Sequence, residues 1–206
     1  MNSSLKKTAG NLGWNLLAGI LLGILTLLGQ QYLPDFLSGS LANSGAVWLI
    51  PGYLLAYYRA QKLWQSVTGC ILSLFGAVLG YYGLQMAVSQ SVYWNRMMLI
   101  WLICALAGGM IFGIGAWLAQ TKENWWKSFG KNLLPAVFLA EGVQKLLHFS
   151  SYIHMLPSIA IILCVGLGLY FLLHDKECFG ARNLISAAGL ILLGVAGYEG
   201  LYWISL

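Results

Sequence analysis

Apolar residues fill this chain in long runs, and short polar segments separate one run from the next. A helix that crosses the hydrocarbon core of a bilayer needs about 20 predominantly apolar residues, and seven runs approach or exceed that length. The pattern therefore predicts an all-α, polytopic integral membrane protein in which residues 1–206 form a single seven-helix transmembrane domain. The predicted helices are 14–33, 41–58, 63–87, 97–119, 133–149, 156–173 and 184–206.

The composition excludes a soluble globular domain. Of the 206 residues, 59% are hydrophobic and only 8% are charged, whereas charged residues make up about 25% of a soluble domain. The net charge of +5 comes from basic residues scattered over short loops, which indicates membrane orientation and not nucleic-acid binding. The four cysteines lack CxxC spacing, so we expect no disulfide, metal or cofactor role for them.

The basic residues also predict how the chain is inserted. Cytoplasmic loops of membrane proteins are enriched in lysine and arginine, and nine of the eleven basic residues fall on one side of the predicted bundle. Only Arg96 and Lys145 fall on the other side. We therefore expect an inner (plasma) membrane protein with a cytoplasmic N-terminus and an external C-terminus. The nine are Lys6, Lys7, Arg59, Lys62, Lys122, Lys127, Lys131, Lys176 and Arg182.

Glycines recur four positions apart in three of the predicted helices. This spacing lets two helix backbones approach closely in lipid, so we expect these glycines to pack helices together. Two prolines also have structural explanations. Pro51 is expected to kink the second helix, and Pro135 to lie in the first turn of the fifth. The glycine pairs are Gly19 and Gly23, Gly76 and Gly80, and Gly109 and Gly113.

A similar phrase at the outer ends of the odd-numbered helices indicates an internal repeat. A glycine with polar neighbours stands there at Gly29, Gly83, Gly142 and Gly200, at intervals of 54, 59 and 58 residues. A period of about 55 residues corresponds to one helical hairpin, so duplication of a hairpin would produce it. Chance similarity in so biased a composition is the alternative. A genuine helical-hairpin repeat would place these polar residues at one depth, in the outer half of the bundle.

The fifth predicted helix carries most of the ionisable residues inside the membrane. Glu141, Gln144, Lys145 and His148 fall within about 100° of one another on a helical wheel, so they form one polar stripe. Glu141 precedes Lys145 by four residues, the favourable order for an ion pair. A charged group costs about 2.5–3.5 kcal/mol at the bilayer centre, so it is expected to face protein or water. The stripe either neutralises itself and bridges helices, or lines a polar cavity or ion path.

Glu199, in the seventh predicted helix, is the residue we expect first in a binding site. It has no charged partner within one turn, so it must find Lys145, a tyrosine hydroxyl or water through space, or stay protonated. We expect Glu199→Gln to abolish function and leave folding intact; a purely structural hydrogen bond is the alternative. The candidate substrate- or ion-binding residues are Glu199, Glu141, Lys145, His148, Gln144 and Gln85.

The sequence lacks motifs for catalysis, metal binding or nucleotide binding. It contains no HExxH, no GxSxG with partners and no glycine-rich nucleotide loop. His148 and His154 are six residues apart, but the helix is expected to break between them, so they do not share a face. We expect no catalytic residue, metal or cofactor. An intramembrane enzyme that uses His148 and Glu141 as an acid–base pair is the weakest hypothesis.

The segment LANSGAVW at residues 41–48 resembles a phrase in a bacterial family of small multi-pass membrane proteins with no assigned function. The resemblance covers the first two predicted helices. It implies an all-helical protein of a bacterial inner membrane and carries over no functional residues.

Two classes of function stay open. One is a small transporter or channel that moves a cation, proton or small solute through a polar site in the outer half of the bundle. The other is a non-catalytic membrane subunit, sensor or assembly partner of a larger complex. The expected partners are the lipid bilayer, a small solute or cation, and a membrane protein or a second copy of this chain. A water-filled cavity at both carboxylates would favour transport, whereas an exposed apolar groove with small residues would indicate a partner helix.

Overall fold

The structure, a computed structural model, describes residues 3–89, 96–122, 124–152, 155–174 and 180–205, and these residues form helices and no strand. The all-α prediction is therefore confirmed. A π-helical turn, Ser38–Ala42, lies between the second and third α-helices. The α-helices are α1 (Ser3–Tyr32), α2 (Asp35–Leu37), α3 (Leu49–Arg59), α4 (Leu63–Ser89), α5 (Arg96–Leu118), α6 (Asn124–Leu147), α7 (Phe149–Tyr152), α8 (Leu156–Leu173) and α9 (Ala181–Ser205).

Among the described residues, five helices are long and apolar enough to cross a membrane: α1, α4, α5, α8 and α9. Many large apolar side chains on these helices are exposed, which lipid accommodates and water does not. The bundle therefore fits an integral membrane protein. The predicted spans 41–58 and 133–149 are not among the five, and both differ from expectation in their helix boundaries.

The second predicted helix is broken in its first half. α3 begins only at Leu49, and its 11 residues extend about 16 Å. The chain before it consists of α2, the π-helical turn and an irregular stretch at residues 43–48. Pro51 therefore lies in the first turn of α3, where its missing N–H costs little. The prediction that Pro51 kinks a longer helix was wrong.

The fifth predicted helix starts earlier than expected. α6 begins at Asn124, so Pro135 lies in its interior and not in its first turn. Lys131, which we placed in an inner loop, is buried on the same helix. The predicted start was too late because Lys127 and Lys131 interrupt the apolar run. Long basic side chains are nevertheless compatible with a helix here, because their aliphatic stems can pack along apolar surface.

Close backbone contacts confirm the expected role of the paired glycines. A Cβ added at Gly19 or Gly23 of α1 would meet the backbone of α4, and one at Gly76 or Gly80 of α4 would meet the backbone of α1. The glycine pair of α5 packs against the backbone of α4 in the same way. α1, α4 and α5 therefore form one closely packed layer.

The other long helices gather around α6. α8 and α9 both pack on α6, and α3 contacts α4 and α5. α9 packs chiefly on α6 and exposes large apolar residues such as Leu192 and Leu193 over much of its length. Because α5 also contacts α6, α5 and α9 flank this helix.

The four glycines that suggested a repeat do not have equivalent surroundings. Gly83 and Gly200 have no neighbouring atom within 4 Å of an added Cβ, whereas Gly29 and Gly142 are packed against side chains of other segments. A shared packing role therefore does not explain their spacing, and the repeat stays a prediction.

Candidate functional site

Glu141 lies where α6 meets the irregular stretch before α3, and only 2% of it is exposed. Its Oε1 accepts a hydrogen bond from Lys145 Nζ at 2.8 Å. Its Oε2 accepts hydrogen bonds from the Ser44 hydroxyl at 2.7 Å and from the Ala46 N–H at 3.4 Å. The Tyr198 hydroxyl donates to the same oxygen at 3.1 Å. We call these five residues the Glu141 network; it joins residues 43–48, α6 and α9.

The Glu141 network supplies hydrogen-bond partners to the irregular stretch at residues 43–48, which we also call the broken segment. Irregular backbone at membrane depth is tolerated only where it is buried in protein or lines a cavity. The carboxylate accepts from Ala46, three residues before α3 begins at Leu49, and a negative charge there complements the positive end of the helix dipole. Lys145, with its side chain 11% exposed, balances that charge. The sequence prediction of a Glu141–Lys145 pair is therefore confirmed.

Burial along α6 agrees with the predicted polar stripe. Glu141 and Gln144 are buried, and Lys145 and His148 are partly buried. Two intervening residues, Leu146 and Leu147, are exposed. The polar side chains therefore face protein, whereas leucines face the surroundings, as the cost of placing charge in lipid requires.

Glu199 pairs with His148 and not with Lys145. The His148 Nε2 and Glu199 Oε1 atoms lie 2.8 Å apart, with side chains 25% and 29% exposed, respectively. The His148 ring stacks on Tyr202 with ring centroids 4.6 Å apart. Burial, and then the nearby Tyr202 and Glu199, raise the pKa of Tyr152 in α7. His148, Glu199 and Tyr202 form a second polar cluster that is more exposed than the Glu141 network.

Gln85 does not join either group. It is partly buried on α4, and no hydrogen bond within the described ranges links it to the other five candidates. The residue that connects this region is Gln30 of α1. Its Oε1 accepts from the Tyr81 hydroxyl at 2.8 Å, and its Nε2 donates to Asn43 Oδ1 at 2.8 Å and to the Ala42 carbonyl at 3.1 Å.

Several residues of the site were not among the sequence candidates. Ser44 and Tyr198 are uncharged, so a search for ionisable groups inside helices passes over them. Available signals were the turn-forming sequence Asn43-Ser44-Gly45 and the position of Gln30 in the repeated phrase. The contact between Ser44 and Glu141 has no local signal because it joins distant parts of the chain.

A large apolar cavity, which we call the lateral groove, lies between α5 and α9 over the surface of α6. Its volume is about 650 Å³. Tyr198 connects it to the Glu141 network, because the residue lines the groove and its hydroxyl donates to Glu141. The remaining lining residues are mostly aliphatic, small or aromatic and include Trp48, Trp101, Ala105, Gly108, Phe112, Leu133, Ala136, Leu190, Gly194, Gly197 and Leu201.

A smaller cavity of about 120 Å³, which we call the polar pocket, adjoins the lateral groove. Gly45, Trp48 and Trp101 line both cavities. Gly45 and Trp48 belong to the irregular stretch before α3, so the broken segment forms the wall between an apolar space and a polar one. The other residues of the polar pocket are Thr26, Gln30, Ala42, Asn43, Ser44, Tyr81 and Tyr82.

Buried polar residues also lie nearer the opposite end of α6. Asn132 is fully buried and donates through Nδ2 to the Asn183 carbonyl at 3.0 Å. Its Oδ1 and the Ser186 hydroxyl have no hydrogen-bond partner within the part of the chain that the structure describes. The described residues also contain no cluster of three potential metal ligands; His154 and Cys178 lie outside them.

Comparison with known proteins adds a family to this description. Neither the curated proteins nor the solved structures contain a match to this chain. The model of a family of unknown function, DUF6518, matches residues 2–204, far more of the chain than the LANSGAVW segment that suggested such a family. This match over nearly the whole length shows that the chain belongs to DUF6518.

Proposed function

We propose that this protein is a small membrane carrier that binds an amphiphilic solute from the bilayer. The apolar part of the solute occupies the lateral groove, and its polar part lies toward the Glu141 network. The observation that carries this proposal is the position of Tyr198, which lines the groove and donates to Glu141. Apolar cavities with a few convergent polar groups are the usual form of small-molecule sites.

The length of the groove suits a molecule that enters sideways from lipid. Its lining residues run from Trp101 to Phe112 on α5 and from Leu190 to Leu201 on α9. Each stretch extends about 16 Å, roughly half of a hydrocarbon core of about 30 Å. The exposed flanks, which include Ile111 and Leu193, leave such a molecule in contact with the acyl chains.

The broken second segment supports a transport role. Transporters commonly place their substrate sites at discontinuous helices, where unwound backbone and helix ends meet the solute. In this chain the break at residues 43–48 contributes Gly45 and Trp48 to both cavities and contributes Ser44 and Ala46 to the Glu141 network.

Glu141 takes the leading role in this proposal, ahead of Glu199. At 100° per residue, Glu199 lies about 170° around α9 from the centre of the groove-lining face. We assign Glu199 and His148 to a separate polar contact at the outer end, where a proton or cation can approach. Lys145 and Gln144 support the Glu141 site from α6, and Gln85 remains a candidate without an observed link to it.

We infer further that the chain crosses a bacterial inner membrane seven times, with the N-terminus in the cytoplasm. α6, and α3 together with the irregular segment that precedes it, would complete the crossings. On α6, Asn132, Glu141 and Gln144 are buried in protein and so escape the cost of exposure to lipid. The nine-to-two distribution of basic residues supports the orientation.

A non-catalytic membrane subunit is the second candidate function. The lateral groove favours it, because an apolar groove lined by small residues such as Ala105, Gly194 and Gly197 is the feature expected of a partner-helix site. We place a small molecule first because Tyr198 joins the groove to the buried Glu141.

A second observation is the exposure of α9, which packs chiefly on α6 and leaves Leu192 and Leu193 uncovered. A partner helix or a second copy of this chain could cover that surface. Lipid covers it equally well, so we place this candidate second.

The carrier proposal is tested by filling the groove. Gly197 lines it and has no neighbouring atom within 4 Å of an added Cβ, so Gly197→Trp places an indole there with little disturbance of the protein. Gly200 on the same helix is equally open but does not line the groove. Gly200→Trp is therefore the matched control.

The measurement is the binding of fluorescent alkyl-chain amphiphiles to purified protein in lipid nanodiscs. We expect Gly197→Trp to weaken binding at least about tenfold, the equivalent of 1.4 kcal/mol, and Gly200→Trp to bind as the wild type does. Equal binding by both variants, or no binding by the wild type to cationic, neutral or anionic amphiphiles, contradicts the proposal. Loss of a co-purifying membrane protein in both variants would favour the second candidate function, a non-catalytic membrane subunit.

A further inference from the structure

We propose that the polar pocket selects amphiphiles whose head group is an organic cation, a primary or quaternary ammonium. This inference rests on the proposed function, because it identifies the polar end of the molecule whose apolar chain fills the lateral groove. The two cavities share Gly45, Trp48 and Trp101, so one molecule can extend from one into the other.

Aromatic rings dominate the walls of the polar pocket. Trp48 is central: its ring centroid lies 5.3 Å from that of Trp101 and 6.0 Å from that of Tyr81. Tyr81 in turn packs edge-on against Tyr82 at 5.1 Å. The faces of such rings carry negative electrostatic potential and attract ammonium groups, most strongly where water is excluded.

The pocket also lacks a positive group that could hold an anion. None of the ten lining residues is basic, and Lys145 of the Glu141 network is paired with Glu141. Gln30, Asn43 and Ser44 line the pocket with neutral side chains. The Glu141 carboxylate lies one hydrogen bond behind Ser44, but Lys145 balances its charge, so the aromatic rings carry the preference for a cation. An anionic head group would therefore have no positive partner there.

One hydroxyl in the pocket is unused. Tyr82 is buried and lines the polar pocket, and its hydroxyl has no hydrogen-bond partner within the described residues. The hydroxyl is not among the fully buried polar atoms that lack a partner, so it is open to a bound molecule or to water. Tyr82 does not line the lateral groove, which makes it suitable for separating recognition of the head group from binding of the chain.

The junction beside Gly45 has room for one added carbon atom. A Cβ added at Gly45 would lie 3.6 Å from the Trp101 ring and 4.0 Å from the Tyr198 hydroxyl, which is ordinary van der Waals distance. The pocket volume of about 120 Å³ is well above the roughly 15 Å³ that one water requires. It accommodates a compact head group and excludes a large one.

The test compares three probes that share one alkyl chain: hexadecyltrimethylammonium, hexadecanol and hexadecanoate. Each competes with a fluorescent amphiphile for the full-length protein in nanodiscs. We expect the ammonium to bind about tenfold more tightly than the other two, as a desolvated cation–π site allows. Tyr82→Leu, which removes the ring, should abolish this preference and leave hexadecanol binding unchanged. Tyr82→Phe, which keeps the ring, should retain the preference within about twofold.

A second measurement keeps the inference testable if Tyr82→Leu fails to fold. Tetramethylammonium, which has no chain, should raise the melting temperature of the wild type above the value in equal sodium chloride. Equal affinity for the three head groups, or tighter binding of hexadecanoate, overturns the head-group inference and leaves the groove proposal standing. No binding of any alkyl probe, together with stabilisation by tetramethylammonium, contradicts the groove proposal and supports the head-group inference.

Discussion

Ser44 and Glu141 stand 97 residues apart in the chain, and the Ser44 hydroxyl donates a 2.7 Å hydrogen bond to the Glu141 carboxylate. The same carboxylate oxygen also accepts from the Ala46 N–H and the Tyr198 hydroxyl. One buried side chain of α6 therefore holds the irregular stretch before α3 and contacts α9. Loss of this carboxylate affects both the fold and the wall of the lateral groove.

Glu141→Gln should destabilise the protein strongly. The substitution removes the charge that balances Lys145, and breaking a buried pair by losing one partner costs about 3–5 kcal/mol. Denaturant unfolding in mild detergent, followed by tryptophan fluorescence, measures the change. Addition of Lys145→Met should recover a substantial part of the loss because no uncompensated charge remains. A double variant no more stable than the single one would show that the pair itself is not the cause.

Tyr198→Phe should have a smaller effect on stability. The ring that lines the groove is kept, and one hydrogen bond to a charged group is lost, a change worth about 1.5–3 kcal/mol. Unfolding under the same conditions provides the measurement. Tyr32→Phe, at a position 78% exposed, is the control and should leave stability unchanged. Identical curves for both variants would argue against a hydrogen bond between Tyr198 and Glu141.

Glu199→Gln should change the free energy of unfolding by less than about 1 kcal/mol. The pair with His148 is partly exposed, and exposed pairs contribute little. Because Glu199 lies on the face of α9 opposite the groove, amphiphile binding in nanodiscs should also persist. Loss of binding with intact folding would instead support the role in a binding site that the sequence predicted for Glu199.

Two glycine substitutions on α1 should have opposite outcomes. At Gly13, an added Cβ meets no neighbouring atom, whereas at Gly19 it meets the backbone of Ser73 on α4. Gly13→Ala should be neutral or stabilising by up to about 1 kcal/mol, since alanine favours helix. Gly19→Ala should destabilise by about 1–3 kcal/mol or more through overpacking. The melting temperatures of the two variants, measured side by side, test this prediction. Equal values would contradict the close contact between α1 and α4.

The proposed topology predicts which sites react with a membrane-impermeant maleimide in intact cells. Four exposed positions flank the two inferred crossings: Gln31 and Gln61 around α2–α3, and Lys122 and Ser150 around α6. In a variant without native cysteines, Gln31→Cys and Ser150→Cys should react before permeabilisation, and Gln61→Cys and Lys122→Cys only after it. Reaction of both members of one flanking pair on the same side would exclude that crossing.

Sequence could predict those parts of the site that depend on one helix alone. Residues four apart on a helix are neighbours regardless of the rest of the fold, so the Glu141–Lys145 pair followed from spacing. His148 and Glu199 are 51 residues apart, and their pairing depends on how α6 and α9 pack. The sequence showed that Glu199 needed a partner through space but not that the partner is His148.

The break before α3 was missed for a different reason. Averaged hydropathy measures polarity and not backbone conformation, so the apolar residues around Asn43-Ser44-Gly45 concealed three residues typical of turns. The irregular backbone is stabilised because Glu141 and Gln30 supply hydrogen-bond partners, and both come from other helices. Without an arrangement of those helices, residues 41–58 read as one continuous span.

The two helices that border the lateral groove differ in how extensively they pack against the rest of the protein. α5 is locked to α4, because its glycines bring the two backbones together and any separation would leave a gap that no side chain fills. α9 rests chiefly on α6 and has most of its circumference against lipid. Tilting α9 therefore disturbs one interface, whereas moving α5 disturbs several. The width of the groove is therefore set chiefly by how α9 packs on α6.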